Sequence, residues 1–301
     1  MTASISRREA LTLIGAAALA PYAWGKSATM LTRPIPSSKE AIPVIGMGTW
    51  QTFDVGASES ARKPLADVLS LFVELGGTIV DSSPMYGASE SVVGDLAVKL
   101  GLQDKLFMAT KVWTSGRGAG IAQMEDSERK LRGRVDLMQV HNLVDADTHL
   151  DTLRKWKASG RIRYIGITHY TAGAYRELEQ YLQRPGIDFV QLNYSLAERE
   201  AEQRLLPLAR EKGIAVLVNR PFGSGSLFRD TRGKALPGFA KDLGATSWAE
   251  LFLKFVVSHP AVTCAIPATS KTEHLRQNMS AGRGPMPDEA MRKKIAAALL
   301  E

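Results

Sequence analysis

The chain has 301 residues and a formal charge of +7, and its 45% hydrophobic, 23% charged and 7% aromatic content excludes a disordered, collagen-like or multi-span membrane protein. A single cysteine, Cys264, excludes an internal disulfide framework, and five histidines with neither HExxH nor CxxC spacing give no metal site to expect. Basic residues are dispersed apart from Arg161, Arg163 and the pair Lys293, Lys294, so the net charge allows a nucleic-acid partner but no motif supports one, and none is expected.

In chain order, residues 1–28 read apart from the rest. Arg7-Arg8 precede an apolar stretch from Leu11 to Ala20 and a small-residue zone reaching Ala28, the three-part layout of a signal peptide. The apolar run is shorter than the ~20 residues a membrane-spanning helix needs. Ser6 to Leu11 resembles the twin-arginine export motif S-R-R-x-x-L. That resemblance implies recognition by the twin-arginine export machinery, cleavage near Gly25 with Ala23 at the −3 position, and no stable membrane insertion afterwards. It implies a periplasmic protein, or a cytoplasmic one if the segment does not work as a signal; a frayed amphipathic N-terminus or an uncleaved anchor is the alternative. Because that route carries folded proteins, it also implies a cofactor loaded before transit.

Residues 29–301 form the body. Leu31–Ala41, with Pro34, Pro36 and Ser37-Ser38, predicts a small hairpin. Eight β-branched or apolar runs follow: Pro43–Thr49, Thr78–Asp81, Leu106–Lys111, Val135–His141, Ile162–Thr168, Asp188–Asn193, Ile214–Val218 and Val262–Pro267. Helical periodicity fills the intervals at Ala61–Leu75, Glu90–Leu100, Ala122–Leu131, His149–Ala158, Ala172–Leu182, Ala201–Lys212 and Trp248–Val257, with a last helix at Thr272–Met279. Gly76-Gly77, Gly101, Gly160 and Gly213 stand where helices must stop and turn back. Repeated βα units without two composition-distinct halves predict an α/β fold, a (β/α)8 TIM barrel with the hairpin closing its bottom.

In such a barrel the reactive groups lie at the C-terminal strand ends. There the sequence places Asp81, Lys111 and His141, with Tyr86 on the loop five residues past Asp81. Each alone has an ordinary explanation: a helix cap, a solvated lysine, a structural histidine. Together Asp81 and Lys111 can neutralise each other, and Lys111 can lean on the Tyr86 hydroxyl. An adjacent ammonium is expected to lower the phenol from its usual value near ~10 toward that of a working acid or base. With His141 orienting a substrate oxygen, the quartet suits a carbonyl that gains a proton as its carbon gains a hydride. Side chains cannot supply hydride, so a nicotinamide cofactor is expected.

Asp81-Ser-Ser-Pro-Met-Tyr86-Gly-Ala-Ser-Glu90 resembles the D-x-x-x-x-Y-G-x-x-E motif of the aldo-keto reductases, and Ala109-Thr-Lys111-Val and Gln139-Val-His141-Asn142 resemble that family's lysine and histidine strands. The resemblance runs from about Leu31 to the end. It implies catalysis by Asp81, Tyr86, Lys111 and His141. It places Thr49, Trp50, Asp81, Thr168, His169 and Gln191 beside the cofactor, with Gln191 holding the nicotinamide amide. It sets the Pro221-Phe222-Gly223-Ser224-Gly225 loop along the pyrophosphate, with Asn219 and Arg220 just ahead of it at the cofactor, Arg220 contacting phosphate or covering the cofactor. It assigns Thr269, Ser270, Lys271, Gln277 and Asn278 to the adenosine end. Trp50, Trp113, Tyr86 and His141 would face substrate in an open pocket that Tyr170 also borders.

The departures are specific. Asn219-Arg220 stands where many members stack an aromatic ring, Ala268 replaces the usual basic residue after Ile-Pro, and His274 aligns with a familiar arginine. The implied cofactor is therefore NADP with NAD possible, Lys271 being the phosphate partner at hand. The expected function is interconversion of aldehydes or ketones and alcohols. The alternative is a nicotinamide-binding sensor or partner subunit of the same fold with negligible turnover. A glycosidase would need a second strand-end carboxylate besides Asp81, and an aldolase would use Lys111 as a Schiff base.

Overall fold

The computed structural model describes residues 29–299; the export-signal expectation for residues 1–28 lies outside them. The hairpin comes first, β1 (Thr32–Pro34) antiparallel to β2 (Ala41–Pro43). It is the predicted hairpin, carried two residues further. Ala41–Pro43 pair back with Thr32–Pro34, so the first barrel strand, expected from Pro43, is only β3 (Met47–Gly48).

The βα units then follow as α1 (Glu59–Glu74), β4 (Ile79–Asp81), α2 (Ser89–Leu100), β5 (Phe107–Val112), α3 (Arg117–Lys130) and β6 (Leu137–His141). Next come α4 (Ala146–Ala158), β7 (Tyr164–Thr168), α5 (Tyr175–Leu182), β8 (Phe189–Asn193), α6 (Leu205–Lys212) and β9 (Ala215–Asn219). The chain ends with α7 (Ser226–Asp230), α8 (Trp248–Ser258), β10 (Cys264–Ala265), α9 (Thr272–Ser280) and α10 (Glu289–Ala297). Strands β3 to β10 are parallel and pair in sequence order. Parallel bridges Ile45 to Ala265 and Gly48 to Ala268 join the first strand region to the last, completing the predicted barrel.

Strand side chains alternate between two faces, and the sequence uses the alternation to build two different layers. Val80, Met108, Met138, Val140, Ile165, Ile167, Val190 and Val216 belong to the large apolar cluster between strands and helices. Their neighbours at every second position form the barrel interior, which changes character along its axis. At the bottom it is apolar, with Ile79, Phe107, Leu137, Tyr164, Phe189 and Ala215 in one cluster. Further along the same strands the series continues as Asp81, Lys111, Gln139, His141, Thr168, Gln191 and Asn219. The hairpin plugs the apolar end, because Ile35 and Ile42 are buried in that cluster. Tyr164 ties it down, its hydroxyl 2.6 Å from Glu40 Oε2 and 2.8 Å from Ser38 Oγ, beside the Arg163–Glu40 ion pair.

Helices α7 and α10 lie outside the expected ones, and α3 and α4 begin earlier than expected. α3 starts five residues before the predicted Ala122, through a Gly118/Gly120 stretch of poor helix propensity. A Cβ on Gly120 would lie 2.4 Å from a ring carbon of His149, so packing against α4 sets that residue. α10 carries Met291 and Ile295 at helical spacing against the core, with Leu299 just past its end. It is held by its cap, where Asp288 Oδ1 accepts from Met291 N at 2.7 Å, by buried Ile295 and by Arg292, which donates to Glu202 at 2.7 Å.

Candidate active site

The polar end of the barrel interior opens into a cavity of about 760 Å³. Asp81, at the end of β4, and Lys111, on β5, are both buried, and Lys111 Nζ donates to Asp81 Oδ2 at 2.6 Å and to Ser82 O at 2.7 Å. The other carboxylate oxygen, Asp81 Oδ1, accepts from the amides of Gln139 and Gln191, each at 2.9 Å. This saturation is what a buried carboxylate needs. Gln139 was quoted in the sequence only as part of the histidine strand; the structure makes it a partner of Asp81. Gly166 permits this, since a Cβ there would come within 2.8 Å of Gln139 Cγ.

Tyr86 leaves β4 through a turn in which its N–H donates to Ser83 O at 3.0 Å. Gly87 has φ +57° and presses on the Asp54 carboxylate, where any Cβ would intrude to 2.3 Å. The turn thus brings the Tyr86 ring over Lys111, with Nζ 5.1 Å from the ring centroid, and edge-on to His141 at 6.0 Å. All four residues singled out at the strand ends are therefore brought together. Asp81, Tyr86 and His141 line the cavity, and Lys111 lies beneath them.

The electrostatics correct one expectation. Burial raises the Tyr86 phenol above its ordinary value, and this outweighs the lowering by the Lys111 ammonium, with Asp81 adding to the rise. The anticipated fall required a solvated phenol. A phenol this enclosed keeps its proton at neutral pH. Burial also pulls on Lys111, but Asp81 and Tyr86 hold its ammonium above the usual range. His141 is pushed down to about 2, by burial first and then by Lys111 and His169, so its imidazole is neutral.

Among the residues assigned by resemblance, Thr49, Trp50, Thr168, Gln191, Asn219, Arg220, Pro221, Phe222, Ser224 and Gly225 line the cavity, as does Trp113. His169, Gly223, Thr269, Ser270, Lys271, Gln277 and Asn278 are not among the residues that line it. Lys271 is exposed just before α9, and its N–H donates to Thr269 Oγ1 at 3.1 Å. Gln191, expected to hold an amide, directs its own amide nitrogen to Asp81 and to Gln139 Oε1 at 3.1 Å. Asn219 Nδ2 donates to His169 O at 3.2 Å, while its buried Oδ1 has no partner.

Sequence reasoning assigns no role to Gly48, Met85, Asn142 or Phe228, all of which border the cavity, as do Ile266-Pro267-Ala268 of the stretch expected at the adenosine end. Only Met85 carried a signal, a large apolar residue inside a motif otherwise made of polar and small ones. Trp50, Met85 and Trp113 are 51%, 41% and 42% exposed, an apolar rim that packing does not explain.

A closed parallel barrel whose C-terminal mouth unites carboxylate, ammonium, phenol and imidazole defines a class of barrel oxidoreductase. The profile of the Aldo/keto reductase family matches residues 44–298, and the chain belongs to that family. Methylglyoxal reductase YeaE of Escherichia coli (strain K12) is 30% identical over 253 residues, 80% of this chain and 86% of that protein. A crystal structure of an aldo/keto reductase from Klebsiella pneumoniae in complex with NADP and acetate matches with a TM-score of 0.74 at 26% identity, covering 87% of this chain and 93% of that one. Another from Klebsiella pneumoniae, in complex with NADPH, gives 0.74 at 25% identity, covering 90% and 96%.

Proposed function

We propose that this chain interconverts aldehydes or ketones and the corresponding alcohols with NADP(H), with Tyr86 as the proton donor of the reduction. The observation that carries the reading is the convergence of Lys111, Tyr86 and His141 at one cavity, with the Lys111 Nζ 5.1 Å from the Tyr86 ring and that ring edge-on to His141. The residues present fit a dinucleotide: the unpartnered Asn219 Oδ1 offers an acceptor to a carboxamide. The run Gly223, Ser224, Gly225, at φ +55°, +52° and +86°, exposes backbone where a bulkier chain would block close approach. Bound there, the cofactor would supply the hydride.

Thr168, Gln191 and Asn219 would hold its nicotinamide end, with Asp81, Thr49 and Trp50 alongside, His169 and Arg220 bordering it, and Pro221 to Gly225 along the diphosphate. Lys271, Thr269, Ser270, Gln277 and Asn278 would meet the adenosine end, Lys271 favouring NADP while leaving NAD possible. A carbonyl oxygen at the mouth takes its proton from the Tyr86 hydroxyl. Lys111 then steadies the phenolate, Asp81 holds Lys111 in place, and His141 orients the oxygen. Trp50 and Trp113 wall the substrate. The raised phenol suits reduction, which needs the protonated form at neutral pH.

Tyr86→Phe tests the role of Tyr86: carbonyl-dependent NADPH oxidation is expected to fall by about 10²–10⁴-fold with dinucleotide binding kept. Retained turnover across a range of aldehydes and ketones would refute the assignment. Dinucleotide binding by a parent protein that reduces none of them would favour the sensor or partner-subunit reading. Lys271→Met, followed by tryptophan fluorescence, is expected to weaken NADPH binding more than NADH binding. For residues 1–28 we propose twin-arginine export, on the strength of Ser6-Arg7-Arg8 and the short apolar run. Replacing both arginines by lysine is expected to hold the full chain in the cytoplasm, and unchanged periplasmic recovery would count against it.

A further inference from the structure

Ser83 is the middle residue between Asp81 and Met85, wholly buried, and it does not line the cavity. Its Oγ lies 3.0 Å from His141 Nδ1 and accepts from the Met85 N–H at 3.4 Å. Its carbonyl accepts the Tyr86 N–H, so a single turn sets both the phenol and this hydroxyl. A neutral imidazole carries one N–H and one lone pair. If Nδ1 were the protonated nitrogen, the Ser83 oxygen would receive two donors and its own buried hydrogen would face no acceptor, because among the described hydrogen bonds His141 Nδ1 is the only one open to it. If Ser83 donates instead, every buried hydrogen is satisfied, which is the arrangement buried hydroxyls adopt.

We propose that Ser83 donates to His141 Nδ1 and thereby fixes the ring as its Nε2–H tautomer, so that His141 offers the carbonyl oxygen a donor rather than a lone pair. Ser83 is then a positioning residue, acting through His141 and never touching substrate. The opposite tautomer would set a lone pair against the oxygen that is to be protonated. This rests on the reading of His141 as the group that orients the substrate oxygen, but the tautomer is measurable without turnover.

The test is nitrogen NMR on the full chain labelled with ¹⁵N-histidine at neutral pH, combined with steady-state reduction of a simple aldehyde. In the parent, His141 should show a protonated Nε2 and an unprotonated Nδ1. Ser83→Ala should shift both nitrogens toward the averaged values of a mixed tautomer and lower kcat/KM for the aldehyde by about tenfold, the scale of one lost hydrogen bond, with the NADPH affinity unchanged. Ser83→Thr, which keeps the hydroxyl, should restore both readouts. A parent spectrum with Nδ1 protonated overturns the proposal, as does a Ser83→Ala spectrum identical to the parent's. If Ser83→Ala does not fold, the parent spectrum decides alone. If the parent reduces no carbonyl compound, the functional reading falls while the tautomer result still stands or fails on its own.

Discussion

At the residue scale the buried Lys111–Asp81 pair bears on stability and, in the proposed reaction, on chemistry. Its side chains are 0% and 3% exposed, and removing one partner strands the other charge. Lys111→Met is expected to cost about 3–5 kcal/mol in urea unfolding, and the double variant Asp81→Asn/Lys111→Met less than the sum of the singles. The charge on Lys111 lowers the Tyr86 phenol, so removing it should move the alkaline limb of the reduction profile to higher pH. His141 supplies a pH signature of its own. Its folded value of about 2 lies below the ordinary 6.5, so between these the unfolded chain binds the proton and the folded one does not. Stability is therefore lost as pH falls below 6.5. From about pH 7 to about pH 5 the loss due to His141 should be about 2 kcal/mol, and His141→Gln should abolish that share in urea titrations at the two pH values. The sequence named these residues because strand ends in a barrel share one face. It gave the wrong direction for Tyr86, because proximity to a charge shows in spacing and the depth of enclosure does not.

At the element scale, strands and glycines decide which side chains can meet. Register places Lys111 beside Gln139, Gln139 beside Gly166, and Thr168 beside Gln191, so β5, β6 and, beyond the intervening β7, β8 deliver the donors that saturate Asp81. Gly166→Ala should push Gln139 off Asp81 and destabilise the fold by about 1–3 kcal/mol, the cost of a buried acceptor losing a partner, read as a lowered urea midpoint. The periodicity that locates β5 and β6 also shows which positions face inward. It does not show that position 166 must be empty for the Gln139 side chain to reach past β5 to Asp81 on β4. Likewise α3 escaped full recognition because Gly120 answers to His149 on another helix.

At the scale of the whole molecule the barrel has two unlike ends, an apolar floor plugged by the hairpin and a polar mouth that holds the proposed site. Ile35→Ala, which empties part of the floor, is expected to cost about 2–5 kcal/mol in denaturant unfolding while leaving NADPH affinity unchanged. A loss of affinity matching the loss of stability would show that the two ends are coupled.

The amino-acid sequence by itself determined the alternation of strand and helix, hence the barrel, and it determined Asp81, Tyr86, Lys111 and His141, because those features are local patterns and a fixed rule about strand ends. Only the tertiary structure decided that burial outweighs the lysine's pull on Tyr86, that Gln139 and Gln191 share Asp81, and that Met85 and Asn142 border the mouth. Those facts depend on distances across neighbouring strands and on how much solvent each group loses, and neither quantity is written in the spacing of residues along a chain.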